Sequence, residues 1–455
     1  MQAIIDHIGS RRDEYLDELQ TFLRIPSVST DSTHRQGMQR AAEYVKEQLD
    51  RSGMTTEIVP TEGHPIVYGE RIEHADRPTV LIYGHYDVQP VDPIDLWETS
   101  PFEPDIRNDR LFARGSADDK GQMFIHFKST QAFLEVAGEL PLNIKFLIEG
   151  EEEIGSPNLQ PFVDSRLEQL KADAVLISDS TMFSKETPSI AYGLRGLSYL
   201  QIDVQGPARD LHSGSFGGPV ANPAFVLSQI LASLKDENDR VLVPGFYDRV
   251  RELSSEEKAA FASLPFDEEA YRADLGVKKL AGERGYTTLE QLWARPTLEV
   301  NGLLSGFTGE GAKTVLPSRA MAKVSMRLVP DQDPDEIDEL FESHVMAQTP
   351  ETVSVKVAPM HSGKPWVASL DHPALQAAAN AVEAGFGKRP VFQREGGTIP
   401  IVSIFQEMLG IPTVLMGIGL PDENAHAPNE NLYLPHFFNG IKASAYFMAE
   451  YGRVQ

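Results

Sequence analysis

The chain reads as an α/β protein: a mostly parallel, twisted sheet covered by helices, with a ferredoxin-like α+β domain inserted into it. Three observations predict this. Apolar runs of strand length alternate with helical spacing over the first 190 residues, and the rhythm returns after residue 362, as in a parallel sheet covered on both faces. Between those parts the pattern changes to alternating, half-exposed strands. At 455 residues the chain also exceeds the size at which a single core stops growing. The expected division is a discontinuous catalytic domain, 1–190 plus 362–455, interrupted by a smaller domain at 191–361.

Each element has its own justification. Residues 38–52 place Ala41, Ala42, Val45 and Leu49 at helical spacing and stop at Gly53. Residues 79–83 are a buried-strand run that ends in Gly84-His85, and a glycine-bounded loop around Asp118 leads into a helix over 120–136. The runs 143–148 and 174–178 are strands that deliver an acidic stretch at 149–153 and Asp179. Residues 197–204 then alternate apolar and polar, and 223–234 is helical. The charged, helix-prone stretch 236–295 has weak patterning and looks like an insertion. Strands at 297–300 and 320–328, a helix at 335–346 and a strand at 354–358 complete the order of a ferredoxin-like unit. A helix from Pro373, a favourable first helical residue, to Gly385 and a core strand at 412–417 resume the first rhythm.

Composition narrows the function. Lys and Arg total 41 against 67 Asp and Glu, a formal charge of −26, which argues against nucleic acid or an anionic membrane as partner. The absence of cysteine excludes disulfides and thiol catalysis and leaves His, Asp and Glu as metal ligands. It also fits a reducing compartment. The opening segment is amphipathic and charge-rich, without a signal-peptide pattern, and no apolar run approaches the roughly 18–20 residues of a membrane span. A cytoplasmic protein is expected.

Five stretches offer ligands to divalent metal: Gly84-His85-Tyr86-Asp87, the loop 115–121 around Asp118, Glu149-Gly150-Glu151-Glu152-Glu153, Ser178-Asp179-Ser180 and Asn424-Ala425-His426. Loops at the carboxyl ends of strands converge on one crevice in such sheets. His85 and Asp87 lie two apart on an extended segment, so their side chains point the same way, and Asp87 could accept the second ring N–H of a ligating His85. Asp118 could bridge two cations or serve as a helix cap. Consecutive glutamates after a buried strand repel unless a positive charge meets them. One could bind an ion while its neighbour stays free as general base toward water. Asp118, Glu153 and Asp179 set three negative charges against the four of two divalent ions, a nearly neutral site once the water ionises.

These residues resemble the co-catalytic metallopeptidases that include aminoacylase, carnosine dipeptidase and glutamate carboxypeptidase, with the cytosolic nonspecific dipeptidases as the nearest likeness. The likeness runs along the whole chain through Gly84-His85-Tyr86-Asp87-Val88-Gln89-Pro90, 115–121, 149–156, Asp210-Leu211-His212-Ser213-Gly214, Arg394-Glu395-Gly396-Gly397-Thr398-Ile399-Pro400 and Ala425-His426-Ala427-Pro428-Asn429-Glu430. The resemblance implies hydrolysis of dipeptides with free amino and carboxyl ends by two divalent cations, zinc ordinarily, with manganese or cobalt in the dipeptidase branch. It implies metal ligation by His85, Asp118, Glu153, Asp179 and His426, with Asp118 as the bridge. Glu152 would be the general base and Asp87 the orienter of His85. The inserted domain would be a lid and dimerisation domain of a homodimer, from which His212 reaches the partner subunit's site to stabilise the oxyanion. Arg327 would grip the substrate carboxylate, Thr314, His361, Gly397 and Thr398 would make further substrate contacts, and Glu395 would meet the α-amino group. One departure stands out: Glu151 occupies a position where dipeptidase relatives carry a neutral residue. An N-acyl amino acid deacylase or desuccinylase of the same family, and a non-catalytic metal-binding homologue, are the competing readings.

Overall fold

The apolar runs at 79–83, 143–148 and 174–178 become neighbouring parallel strands. In the computed structural model, which describes residues 1–397 and 399–454, Thr79–His85 lies between Asn143–Glu149 and Ala174–Ile177, parallel to both. Thr413–Leu415 continues the sheet parallel to Ala174–Ile177. Their side chains are almost entirely buried, which is why they read as continuous apolar runs rather than alternating ones.

The margins of this sheet are antiparallel. Ile66–Arg71 pairs with Asn143–Glu149, Thr55–Val59 pairs with Ile66–Arg71, and Ser189–Leu194 adds beyond Thr413–Leu415. The strands at 55–59 and 66–71 escape the sequence reading because they are short and only partly apolar. Helices cover the sheet: Lys120–Ala137 against Thr79–His85, Arg35–Arg51 against the outer strands, and Pro400–Leu409 against Thr413–Leu415. From Lys120 to Phe133 the first of these is buried on every side. Its polar side chains are satisfied internally; Lys128, for example, donates to Gln48 and Gln131 at 2.8 Å each.

The chain forms two compact units: Met1–Tyr192 with Ala368–Gln393 and the segment from Pro400 onward, and Gly193–Val367 with Arg394–Ile399. In the second unit, Thr297–Ser305, Arg319–Leu328, Gly196–Gln205 and Ser354–Gly363 form an antiparallel sheet in that order. The helices Pro223–Ala232 and Pro334–Ala347 pack on it, giving the ferredoxin-like arrangement that the element order predicts. Leu200, Ile202, Val204, Ala322, Val324 and Met326 alternate into its core. The stretch 236–295 is less detached than an insertion: Val241, Val243 and Phe246 enter that same core. Its short helices Ser255–Ala262, Glu268–Asp274 and Thr288–Trp293 stand apart, the first and last of them joined by Phe261 against Trp293.

Candidate metal centre

Parallel neighbours end side by side, and that brings the acidic loops together. His85 is the last residue of its strand and pairs in register with Glu149, the last of the adjoining one. Asp179 follows Ala174–Ile177 on the other side. A separate small sheet brings in the rest: Asn431–Tyr433 pairs with Arg110–Phe112, which draws the loops of His426 and Asp118 to one place.

There, two groups of donors form. His85, Asp118 and Asp179 make one; Asp118, Glu153 and His426 make the other, with donor atoms in each group within 4.8 Å of one another. Asp118 belongs to both. Its Oδ1 lies 3.1 Å from His85 Nε2 and its Oδ2 lies 2.8 Å from His426 Nε2. Asp179 Oδ2 stands 3.9 Å from His85 Nε2, and Glu153 Oε2 stands 3.2 Å from His426 Nε2. Two buried atoms at the centre, His85 Nε2 and Glu153 Oε1, make no hydrogen bond. Imidazole nitrogens and carboxylate oxygens converging from two sides on a shared carboxylate fit a pair of divalent cations.

The three consecutive glutamates diverge. Glu151 turns away: its carboxylate accepts from the backbone N–H of His64 at 3.0 Å and from Asn158 at 2.7 Å. Its charge ties down a neighbouring loop instead of facing the centre. Glu153 is fixed by Gln89, whose Nε2 donates to Oε2 at 2.7 Å. Asp87 has three partners. Its Oδ1 lies 3.4 Å from His85 Nδ1, and its oxygens accept the backbone N–H groups of Glu152 and Glu153 at 3.2 Å each. The buried carboxylate therefore fixes the turn that presents both glutamates, and it shares the orienting of the ring with the Asp87 backbone carbonyl, which lies 3.1 Å from His85 Nδ1. Asp119, joined to Asp118 by a cis peptide bond, is buried and accepts from the His85 backbone N–H at 3.3 Å.

Charge crowding governs the electrostatics. Burial first, then Asp179 and Glu153, raises the Glu152 pKa well above the ordinary carboxylate range, although His85 opposes the rise. Burial, and next the charge of Asp118, raises Asp179 to about 7. Burial resists protonation of His85, yet Asp118 and Asp87 outweigh it and raise its pKa. Hydrogen bonds to Asp118 and Glu153 raise His426 to about 10. Burial works against ionisation of Asp118, but His426 and His85 overcome it and lower its pKa. A cluster that gathers protons in this way releases them when cations bind.

The remaining sequence-derived residues belong to the second unit. His212 ends the two-residue strand Leu211–His212 opposite Val315–Leu316, and Ser213 N–H donates to the Thr314 carbonyl at 3.1 Å. The exposed His212 ring accepts at Nδ1 from the N–H groups of Gly214 and Ser215, at 3.1 and 3.2 Å. In the neutral ring this leaves the proton on Nε2, pointing outward as a donor. Arg327 and Tyr199 sit on the sheet face opposite the buried alternation, and His361 packs edge-on against Tyr199 at 5.1 Å. Burial lowers the Arg327 pKa. Glu395 is anchored through its carbonyl, which accepts from Arg195 N–H at 3.2 Å, and Arg394 is ion-paired to Glu257. Gly397 is exposed; Thr398 lies outside the described residues. Sequence reasoning passed over Gln89, Asp119 and Glu430 as individual contributors. Only their place inside quoted motifs could have flagged them.

Comparison with known proteins gives a consistent picture. The pattern of Peptidase family M20/M25/M40 matches residues 81–450. Cys-Gly metallodipeptidase DUG1 of Candida albicans is 34% identical over 100% of this chain and 98% of its own length. Beta-Ala-His dipeptidase of Homo sapiens is 32% identical over 99% of this chain and 92% of its own. Among solved structures, an M20 family metallo-carboxypeptidase from Sulfolobus solfataricus superposes with a TM-score of 0.87 at 36% identity, covering 97% of this chain and 100% of that one.

Proposed function

As a member of peptidase family M20/M25/M40 the chain is a hydrolase of peptide bonds, and we propose that its substrates are dipeptides with free amino and carboxyl ends. Relatives that align with essentially the whole chain carry the names Cys-Gly and Beta-Ala-His dipeptidase. The observation that carries the reading is the pair of donor groups sharing Asp118, with Glu152 beside Asp179 and Glu153.

His85 and Asp179 would hold one divalent cation and Glu153 and His426 the other, with Asp118 available to both. Zinc is assigned, with manganese or cobalt as substitutes. Bound there, such ions would supply Lewis-acid polarisation of the scissile carbonyl and a lowered pKa for water. Glu152 would take the proton of the attacking water as general base and return it to the departing amine. Asp87 keeps His85 and the 152–153 turn in register. His212, with Nε2 as donor, stabilises the developing oxyanion in the partner subunit of a homodimer. Support for the dimer comes from the edge strand Thr297–Ser305, which exposes Val300, Leu303 and Leu304. Arg327 pairs with the substrate carboxylate through its guanidinium fork. Thr314, His361, Gly397 and Thr398 line the substrate, and Glu395 meets its ammonium group. Residence in the cytoplasm belongs to the same reading; among the described residues, no helix is long and apolar enough to cross a membrane.

The test compares a free dipeptide, its N-acetylated form and a tripeptide. Turnover of the free dipeptide is expected to exceed the others, and Glu152→Ala is expected to keep two ions per chain while losing about 10²–10⁴-fold in rate. Preference for the acetylated form would turn the assignment to a deacylase, and preference for the tripeptide to a carboxypeptidase. An active Glu152→Ala would remove Glu152 as the base.

A further inference from the structure

Glu430 lies four residues beyond His426 and is completely buried. Its two carboxylate oxygens accept four hydrogen bonds. Oε2 accepts from Arg114 Nη1 at 2.8 Å and Gly115 N–H at 2.9 Å; Oε1 accepts from Ala117 N–H at 2.9 Å and Asp118 N–H at 3.1 Å. The Glu430 carbonyl takes a fifth from Ala113 N–H at 3.1 Å. Arg114, also buried, passes the linkage on by donating from Nη2 to the Pro90 carbonyl at 2.9 Å. Pro90 adjoins Gln89, which grips Glu153. One side chain thus fastens three loops that carry metal-centre residues: 85–90, 113–118 and 424–431.

This is more than a buried ion pair needs. Arg114 alone would satisfy the charge. The three backbone N–H groups converge because the chain wraps around the carboxylate, and the last of them belongs to Asp118, the residue common to both donor groups. A carboxylate accepting several backbone N–H groups has no neutral substitute of the same shape, since an amide presents one donor where an acceptor is required. Removing such a partner leaves buried donors unsatisfied and frees the loop to move.

We propose that Glu430 is the positioning residue of the shared carboxylate: it sets Asp118 between His85 and His426, so that both cation sites depend on it. The inference rests on the two-cation reading above. The test uses the full chain and manganese or zinc alone, with affinities read by competition against a chelator. Glu430→Gln is compared with wild type and with Glu283→Gln, which breaks a buried pair with Arg295 in the second unit (2.8 Å). Wild type is expected to bind two ions. Folded Glu430→Gln is expected to bind both about 10–100-fold more weakly, while Glu283→Gln unfolds at lower temperature with unchanged metal affinity. A folded Glu430→Gln with wild-type affinity at both sites overturns the inference alone. A wild-type chain that binds no ion overturns the two-cation reading and the inference with it. If Glu430→Gln does not fold, Glu430→Asp, which keeps the charge opposite Arg114 but shortens its reach, is read in the same way. Failure of both to fold reduces Glu430 to a structural residue and refutes the assignment.

Discussion

Single residues decide chemistry here through where they are buried. His126 lies wholly inside the helix Lys120–Ala137 packing, between the hydroxyls of Ser444 and Ser178 at 2.9 Å each, and burial lowers its pKa to about 3. The unfolded chain has an ordinary imidazole near 6.5, so between those values it binds more protons than the folded one. The stability contributed by keeping His126 neutral is therefore complete above pH 6.5 and lost progressively as pH falls toward 3. Between pH 6.5 and 5 the loss is about 2 kcal/mol. Thermal unfolding of wild type and His126→Gln at pH 7 and 5 measures it. The wild type should lose more stability on acidification, and equal losses would show that His126 does not titrate in this way. The glutamates at 151–153 make the same point about placement: neighbours in sequence, Glu151 faces a loop while Glu153 faces His426 and Gln89.

Elements carry these residues to their places, and glycine sets the limits of approach. Gly121 opens the helix Lys120–Ala137 just after the Asp118 loop. A Cβ there would lie 1.9 Å from the Ser116 carbonyl oxygen and 2.8 Å from Leu432 Cδ2. Alanine gains about 1 kcal/mol of helix propensity, but a backbone oxygen at that distance cannot give way without moving the loop. Overpacking, at about 1–3 kcal/mol, should win. Gly121→Ala should unfold at lower temperature and bind metal more weakly, both measurable on the purified chain; wild-type metal affinity would mean that the loop absorbs the methyl without displacing Asp118. The strands that hold these loops were legible because fully buried strands are continuous apolar runs. The marginal strands at 55–59 and 66–71, and the small sheet at 105–112 and 431–433, were not, because short segments with mixed polarity owe their conformation to partners distant in the chain.

At the scale of the whole molecule, each of the two units has its own core. Sharing His212 across a homodimer makes a prediction that no single chain can satisfy. His212→Ala and Glu152→Ala protomers, each inactive alone, should regain activity when mixed, up to about one quarter of the wild-type sites by random pairing; a mixture as inactive as its parents would place His212 outside the partner's site. By itself, the sequence determined the α/β class, the ferredoxin-like order of the second unit and the ligand types on offer, because periodicity and side-chain chemistry are local properties. The likeness already made Asp118 the bridge; only the tertiary structure decided that Glu151 turns away while Glu153 turns in, and that Glu430 ties loops more than 300 residues apart. Those outcomes depend on hydrogen bonds between segments distant in the chain, and such pairings leave no periodic trace along it.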